Sequence, residues 1–275
     1  MIRIVTDSSC DLPQKFIERH DINVVPLTVN IDGEEYTEGK DISPESFWEK
    51  MRNSNDLPKT SQPTPAAFSE TFTKLSKASD KILCLTISSK LSGTYQSASI
   101  GNDLAGNPAT TFDTLSGSLS HGIQVLQSAR MAEKGESLEN ILEYLRTFRE
   151  KVTILILLHT LENIVKGGRL SRFKGGLAKL LNVKVILHGV NGEVHILKKV
   201  RGKKRFLNET LKIIEEVPGI MEKKIFGITH VDNTEDAEFF KKEILNRFNP
   251  KEIIINGMGP TMGTYAGEGG IILGF

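Results

Sequence analysis

A regular alternation of strand-like and helix-like runs constrains this chain more than any other feature. Residues 66–77 have helical spacing, Lys81–Ile87 form an apolar strand, Leu91–Asp103 form a helix and Thr110–Phe112 a strand, and helical runs follow near Leu119–Ala132 and Leu138–Glu150. Strands joined by helix-length crossovers pair in parallel, and a parallel sheet needs helices on both faces. The start of the chain obeys the same rule. Ile2–Val5 is a short apolar strand, Thr6–Pro13 a polar loop, and Phe16-Ile17 begin a helix, with Pro13 suited to its first turn and Asp11 to its cap. Val152–Leu158 is a further buried strand.

Two hairpins interrupt the rhythm. Asn23–Ile31 runs into Asp32-Gly33 and then Glu34-Glu35-Tyr36, while Val183–Gly189 and Glu193–Lys199 flank Asn191-Gly192. Asp-Gly and Asn-Gly pairs favour the two-residue turns that match strand twist. Between the hairpins, Asp41–Glu45 caps a helix carrying Phe47, Trp48 and Met51, and the prolines of Leu57–Pro65 rule out regular structure at Pro63. Beyond Leu158 a helix breaks at Gly167-Gly168 and a second one follows through Leu181. The chain later alternates helix Arg205–Glu216, strand Ile225–His230, helix Thr234–Arg247 and strand Glu252–Ile255 before a glycine-rich segment and a last strand, Ile271–Gly274.

The fold class is therefore α/β and two-lobed: a largely parallel, Rossmann-like N-terminal sheet plus a second, mixed α/β lobe. With 275 residues there is enough chain for two lobes. The boundary is expected near Leu158–Leu161, giving lobes 1–158 and 159–275, and no Pro/Ser-rich linker separates them.

Lys plus Arg number 35 against 34 Asp plus Glu, so no global field recruits nucleic acid or an anionic membrane. The amino terminus begins directly as a strand, and no apolar run approaches the ~20 residues of a membrane span. A cytoplasmic protein with at most transient membrane contact is expected. Cys10 and Cys84 give neither a metal spacing nor a disulfide framework, and the histidines at 20, 121, 159, 188, 195 and 230 form no i, i+4 pair. No metal and no cofactor is expected.

Chemistry concentrates at Ser88–Ala98, where an apolar strand gives way to hydroxyl-rich residues and a helix. Strand-end to helix-start junctions of parallel sheets hold ligands, because the first helical amides are unpaired. An oxyanion site and a plain helix entrance capped by Ser89 or Ser92 both fit. Ser92 is not in G-x-S-x-G, Lys90 and Ser92 do not form S-x-x-K, and no base can be assigned to Ser92. Gly257-x-Gly259 fails as a dinucleotide fingerprint because Gly263 comes one place late. Asp7 and Asp113, each after a strand, can cap the following loops or serve as bases or metal ligands. What remains is a set of neutral donors, Ser61 and Gln62, Ser92, Gly93 and Thr94, Thr264 and Tyr265, with Arg169 able to add a bidentate fork.

Thr6–Leu12, Thr60–Pro65, Ser88–Ala98, Asp113–Ser118 and Gly167–Ser171, in this order and spacing over essentially the whole chain, resemble the bacterial DegV family. These are fatty-acid-binding proteins that serve as carrier subunits of a fatty acid kinase in phospholipid metabolism. The resemblance implies one long-chain fatty acid with its tail in an apolar tunnel formed largely by the second lobe, for which Ile164, Leu170, Leu177, Leu180, Ile186 and Ile228 are candidate walls. It implies a carboxylate held at the lobe interface by Ser61, Ser92 and Gly93, with Arg169 as an addition. A partner kinase would convert the bound acid to an acyl phosphate, and this chain would have no catalysis of its own. The alternatives are a carrier of another amphipathic carboxylate or phosphate lipid, and a serine hydrolase using Ser92. Three departures from the family stand out. Tyr265 occupies the place of a usual histidine, so that group cannot become cationic near neutral pH. Ser120 replaces a common glycine, and Lys184-Val185 a common Lys-Pro. The run Lys198–Arg205 offers a basic surface for an acidic partner or for anionic lipid.

Overall fold

The computed structural model describes residues 1–76, 81–170 and 183–275. Strands β1 (Ile2–Asp7), β2 (Asn23–Val25), β6 (Lys81–Thr86) and β7 (Ala109–Asp113) form an all-parallel sheet of order β2-β1-β6-β7. Strand parity divides its side chains between two layers. Val5, Ile82 and Cys84 pack on Phe68, Phe72 and Ala98 of α3 (Pro65–Ser76) and α4 (Thr94–Leu104). Ile4, Leu83 and Leu85 face α5 (Ser118–Glu133) and α6 (Leu138–Lys151). Burial on both faces explains why these strands are continuously apolar rather than alternating.

Both hairpins form, although the expected Asn23–Ile31 strand is divided and Asn23–Val25 is taken into the parallel sheet. In the first, β3 (Thr28–Ile31) pairs with β4 (Glu34–Thr37) across Asp32-Gly33, both with positive φ. The proline-braced stretch is more ordered than its composition suggests, because Lys59–Ser61 pairs with the other edge of β3 as β5. Helix α2 (Pro44–Asn53) starts with a reciprocal Ser43/Ser46 cap. Asp11 does not cap α1 (Gln14–Arg19), where Pro13 sits at the cap position without a side-chain bond. Its carboxylate instead reaches across the molecule to Gly259 and Ser118.

The second sheet is mixed and has order β10-β9-β8-β13-β11-β12. Its members are β8 (Ile154–Leu158), β9 (Lys184–Val190), β10 (Glu193–Val200), β11 (Ile225–His230), β12 (Glu252–Gly257) and β13 (Ile271–Gly274). Strand β8, expected at the end of the first lobe, pairs with β9 and β13 and so belongs to this sheet. An apolar run records that a strand is buried but not which sheet takes it. Leu155, Leu157, Leu273 and Ile186 face α8 (Lys203–Glu215) and α9 (Thr234–Phe248), whereas Ile156, Leu158, Leu187 and Ile272 face the opposite way.

Helix α5 lies between the two sheets. Leu119 and Ile123 share one core with Ile4 and Leu83 on one side and Ile225 and Ile254 on the other. Every residue from Ser118 to Leu126 is buried, so the polar ones need partners. Ser118 donates to Asp11 Oδ2 at 2.6 Å, Gln124 donates to Thr114 O at 3.2 Å, and His121 Nε2 meets Thr6 Oγ1 at 2.9 Å. Among the described residues no helix is long and apolar enough to cross a membrane.

Candidate functional site

The carboxyl ends of β6 and β7 open toward the face of the second sheet that α8 and α9 leave free. A partly open cavity lies there. Ile154 and Ile156 of β8, Val194 of β10 and Ile272 of β13 form one wall, and Ile87 and Leu115 from the loops after β6 and β7 form another. Two short helices close it. One is α7 (Glu162–Lys166), ended at Gly167 and Gly168, and the other is α10 (Pro260–Ala266), which the glycine-rich segment concealed and Pro260 starts.

Polar groups of this cavity form a connected cluster. Tyr265 Oη is hydrogen bonded to Thr60 Oγ1 at 2.6 Å, and the Arg169 guanidinium lies 4.7 Å from the Tyr265 ring centre. Arg169 Nε donates to Leu91 O at 3.3 Å and Nη1 to Gly167 O at 2.6 Å. Next to Leu91, the Ser92 and Thr94 hydroxyls are bonded at 2.9 Å. Gly167 is required for this packing, since a Cβ there would stand 2.5 Å from Tyr265 Cδ1.

Of the residues expected from sequence, Ser92, Arg169 and Tyr265 line the cavity, and Thr94 is buried directly behind Ser92. Gly93 is the N-cap of α4 and has no side chain to cap it, and the Ser92 hydroxyl, one residue earlier, accepts a long bond from the Thr94 amide at 3.4 Å. Gln62 lies over Gly93 and donates to Ser97 Oγ at 2.8 Å, outside the cavity lining. Ser61 is exposed, and its neighbour Thr60 faces the cavity instead. Period-two alternation along β5 separates the two hydroxyls, and the signal that finds Thr60 is its pairing with fully buried Val29. Thr264 is also absent from the lining, because its hydroxyl donates to Pro260 O within α10. Ile164 lines the cavity and Leu170 belongs to the same core, but Ile186 and Ile228 pack on the far side of the second sheet. Leu177, Leu180, Ser171 and the helix expected through Leu181 lie outside the described residues.

The other candidates have structural partners. Asp7 accepts from Ser9 N at 3.1 Å and Ile87 N at 2.8 Å, and Asp113 from Ser89 N at 3.2 Å and Leu115 N at 3.0 Å, so both organise loops around the cavity. Ser88 Oγ donates to Gly192 O at 2.8 Å and ties the β9–β10 turn to the first sheet. Burial raises the thiol pKa of Cys10 and of Cys84, which keeps both protonated and unreactive. Asp11 is pushed up to about 8 by burial, opposed by its bonds from Ser118 and Gly259. Buried Glu38 is raised for the same reason, despite accepting from Ser8 and the Thr261 amide. Among the described residues no group of three or more His, Cys, Asp or Glu side chains is arranged to hold a metal ion.

Fold and site define an α/β protein with a two-sheet cavity, apolar along its walls and fringed by a hydroxyl, phenol and guanidinium cluster. The chain belongs to the DegV family, whose profile, described as an uncharacterised protein family, matches residues 1–274. A DegV domain-containing protein of Lactococcus lactis is 36% identical over 269 residues, covering 98% of this chain and 96% of the relative. One from Caldanaerobacter subterraneus is 34% identical over 267 residues, with 97% and 95% covered. A DegV family protein from Thermus thermophilus, described for its fatty acid binding, superposes with a TM-score of 0.94 at 31% identity, over 100% of this chain and 99% of its own. DegV of Bacillus subtilis, described as a fatty acid binding protein, gives 0.90 at 27% identity, with 99% and 98% covered.

Proposed function

We propose that this protein binds one long-chain fatty acid and presents its carboxylate to a partner kinase, which forms the acyl phosphate. The carrying observation is that the apolar walls and the connected cluster of Thr60, Ser92, Arg169 and Tyr265 belong to the same cavity. Each buried methylene contributes about 0.8 kcal/mol, so the tail supplies most of the affinity. The head group needs only satisfied oxygens, and neutral donors with one guanidinium prevent the far larger cost of an unpaired buried carboxylate.

Ser92 favours a carrier over a hydrolase. Its hydroxyl is bonded to Thr94, and among the described residues no histidine lines the cavity: His121 contacts Thr6, His230 lies tilted against Trp48, His20 is paired with Glu133, and His188 and His195 meet edge to face. In this reading residues 1–158 and 159–275 share the head-group contacts, Thr60 and Ser92 against Arg169 and Tyr265, and residues 159–275 supply much of the tunnel, with β8 lending Ile154 and Ile156 to it. Of the basic run, Lys198 is paired with Glu209 and Lys203 with Glu235 and Asp236. Lys199, Arg201, Lys204 and Arg205 then offer positive charge to an acidic kinase surface.

Denaturing mass spectrometry of the purified protein should release a fatty acid in near one-to-one amount. Absence of any acyl species, together with no uptake of added fatty acid, would overturn the reading. The uncharged Tyr265 phenol also suits another amphipathic carboxylate or phosphate, and a lipid exchange panel separates that case. Acyl phosphate formation that needs both this chain and a kinase tests the presenting role.

A further inference from the structure

The far end of α5 carries a second concave feature, distinct from the cavity. One hollow has Phe148, Ile225 and Phe275 in its walls and Lys151, Lys223 and Lys224 around them, with about 700 Å³ of empty space. The adjoining one, with about 880 Å³, holds Arg19, Arg130, Lys134 and Lys251. Gln127 and Tyr144 line both, so the two make one groove with an aromatic half and a cationic half. The backbone joins the halves as well, since Lys251 N donates to Lys224 O at 3.0 Å.

This groove is under-neutralised. Arg130 is held bidentately by Glu252 at 2.7 and 3.1 Å, and Glu133, hydrogen bonded to His20 at 2.7 Å, is among the described residues the one carboxylate that lines either hollow. Among the described residues no salt bridge reaches Lys134, Lys151, Lys223, Lys224 or Lys251. The chain as a whole carries only +1, so this concentration is local and not a reflection of overall basicity. Lys224 is the most telling member. It is half-buried, its ammonium lies 5.0 Å from the Phe275 ring centre, and burial alone lowers its pKa. A desolvated cation without a carboxylate costs stability, and an anionic ligand offsets that cost.

The two halves select the ligand class. Lysine ammonium groups bind phosphates as point charges, and aromatic walls with an amide and a phenol suit a planar heteroaromatic ring. A bare phosphate leaves the half-buried Tyr144 and Phe148 rings unused. A membrane surface cannot follow a concave groove, and the nearly balanced chain lacks the extended basic face of a nucleic-acid binder. We propose that this groove binds a nucleoside polyphosphate, with its ring against half-buried Tyr144 and Phe148 and its phosphates along Lys224, Lys251 and Lys134.

Isothermal titration calorimetry of the full chain with ATP, inorganic triphosphate and adenosine tests this. ATP should bind one-to-one, each fragment should bind about tenfold more weakly or worse, and the ATP affinity should fall as salt rises. Lys224→Met keeps the packing on Phe275 and removes the charge. It should weaken ATP about tenfold while leaving thermal stability unchanged or raised. No ATP binding by the wild type, or equal binding by wild type and Lys224→Met, would overturn the proposal. Triphosphate binding as tightly as ATP would overturn its nucleoside half. Ser92→Ala alters only the fatty-acid cavity and should leave ATP binding intact, so failure here is distinguishable from failure of the carrier reading.

Discussion

Replacing Gly167 by alanine should impair lipid binding with a modest loss of stability. Gly167 has φ −74° and ψ −11°, an ordinary helical conformation, so alanine fits its backbone and gains up to roughly 0.5–1 kcal/mol of helix preference. The side chain does not fit. Its Cβ would stand 2.5 Å from Tyr265 Cδ1 and 3.1 Å from Asn163 O, whereas carbon atoms rest about 3.5–4.0 Å apart, so the ring must move by about 1 Å. That displacement breaks the 2.6 Å bond from Tyr265 to Thr60 and lifts the ring from Arg169. The two losses are worth about 1 kcal/mol and about 0.5–1 kcal/mol. A net loss of about 0.5–1.5 kcal/mol remains, and the melting temperature should fall by no more than about 6 °C. In the cavity nothing compensates. Displacement of a fluorescent fatty acid should show an affinity loss of about tenfold, the equivalent of ~1.4 kcal/mol.

Gly168→Ala is the matched control. Its φ is +73° and no atom lies within 4 Å of the added carbon, so it strains the backbone by about 1 kcal/mol and leaves the ring in place. Gly168→Ala should therefore lower stability by a similar amount and spare binding, so the affinity separates the two variants. Wild-type affinity in Gly167→Ala would refute the assignment of Tyr265 to the head-group site.

Asp11, held at about 8, keeps in the folded state a proton that its unfolded carboxyl releases near pH 4. Stability should then fall as pH rises from about 4 to 8, and Asp11→Asn should remove most of this slope, read from urea midpoints at pH 5 and pH 8. A residual slope from Glu38, also raised, remains. Gly227→Ala places a carbon 2.5 Å from Leu119 Cβ where α5 meets β11, and overpacking there should cost about 1–3 kcal/mol by chemical denaturation. Ser92→Ala should keep the fold and weaken fatty-acid binding several-fold, while neither it nor wild type turns over an ester substrate.

Local chemistry is the legible part of the fold. Asp32-Gly33 and Asn191-Gly192 announce their hairpins because their two turn residues must take positive φ, which these residue types tolerate. The parallel sheet is visible because its strands are apolar on both faces, and Gly167-Gly168 marks the end of α7. Ser92, Arg169 and Tyr265 are legible as candidates because polar side chains near a strand end or a glycine break, with no catalytic motif around them, point to a binding site. The choice of sheet for β8 is not, since pairing with β9 and β13 depends on residues far along the chain.

Register and long-range pairing hide the rest. Thr60 and Ser61 are chemically equivalent neighbours, and only the pairing of β5 with β3 decides which hydroxyl faces the cavity. The same holds for Thr264 and Tyr265, which point in different directions because Pro260–Ala266 is a helix: one hydroxyl turns back to Pro260 O and the other meets Thr60. Asp11 shows the limit most clearly. Locally it is a good helix cap, yet Gly259 and Ser118, 248 and 107 residues away, take its oxygens at 2.9 and 2.6 Å. Burial raises its pKa, and the protonated carboxyl joins α5 to the start of α10. The helix that carries Tyr265 is thus anchored by a residue whose local sequence context assigns it a different task.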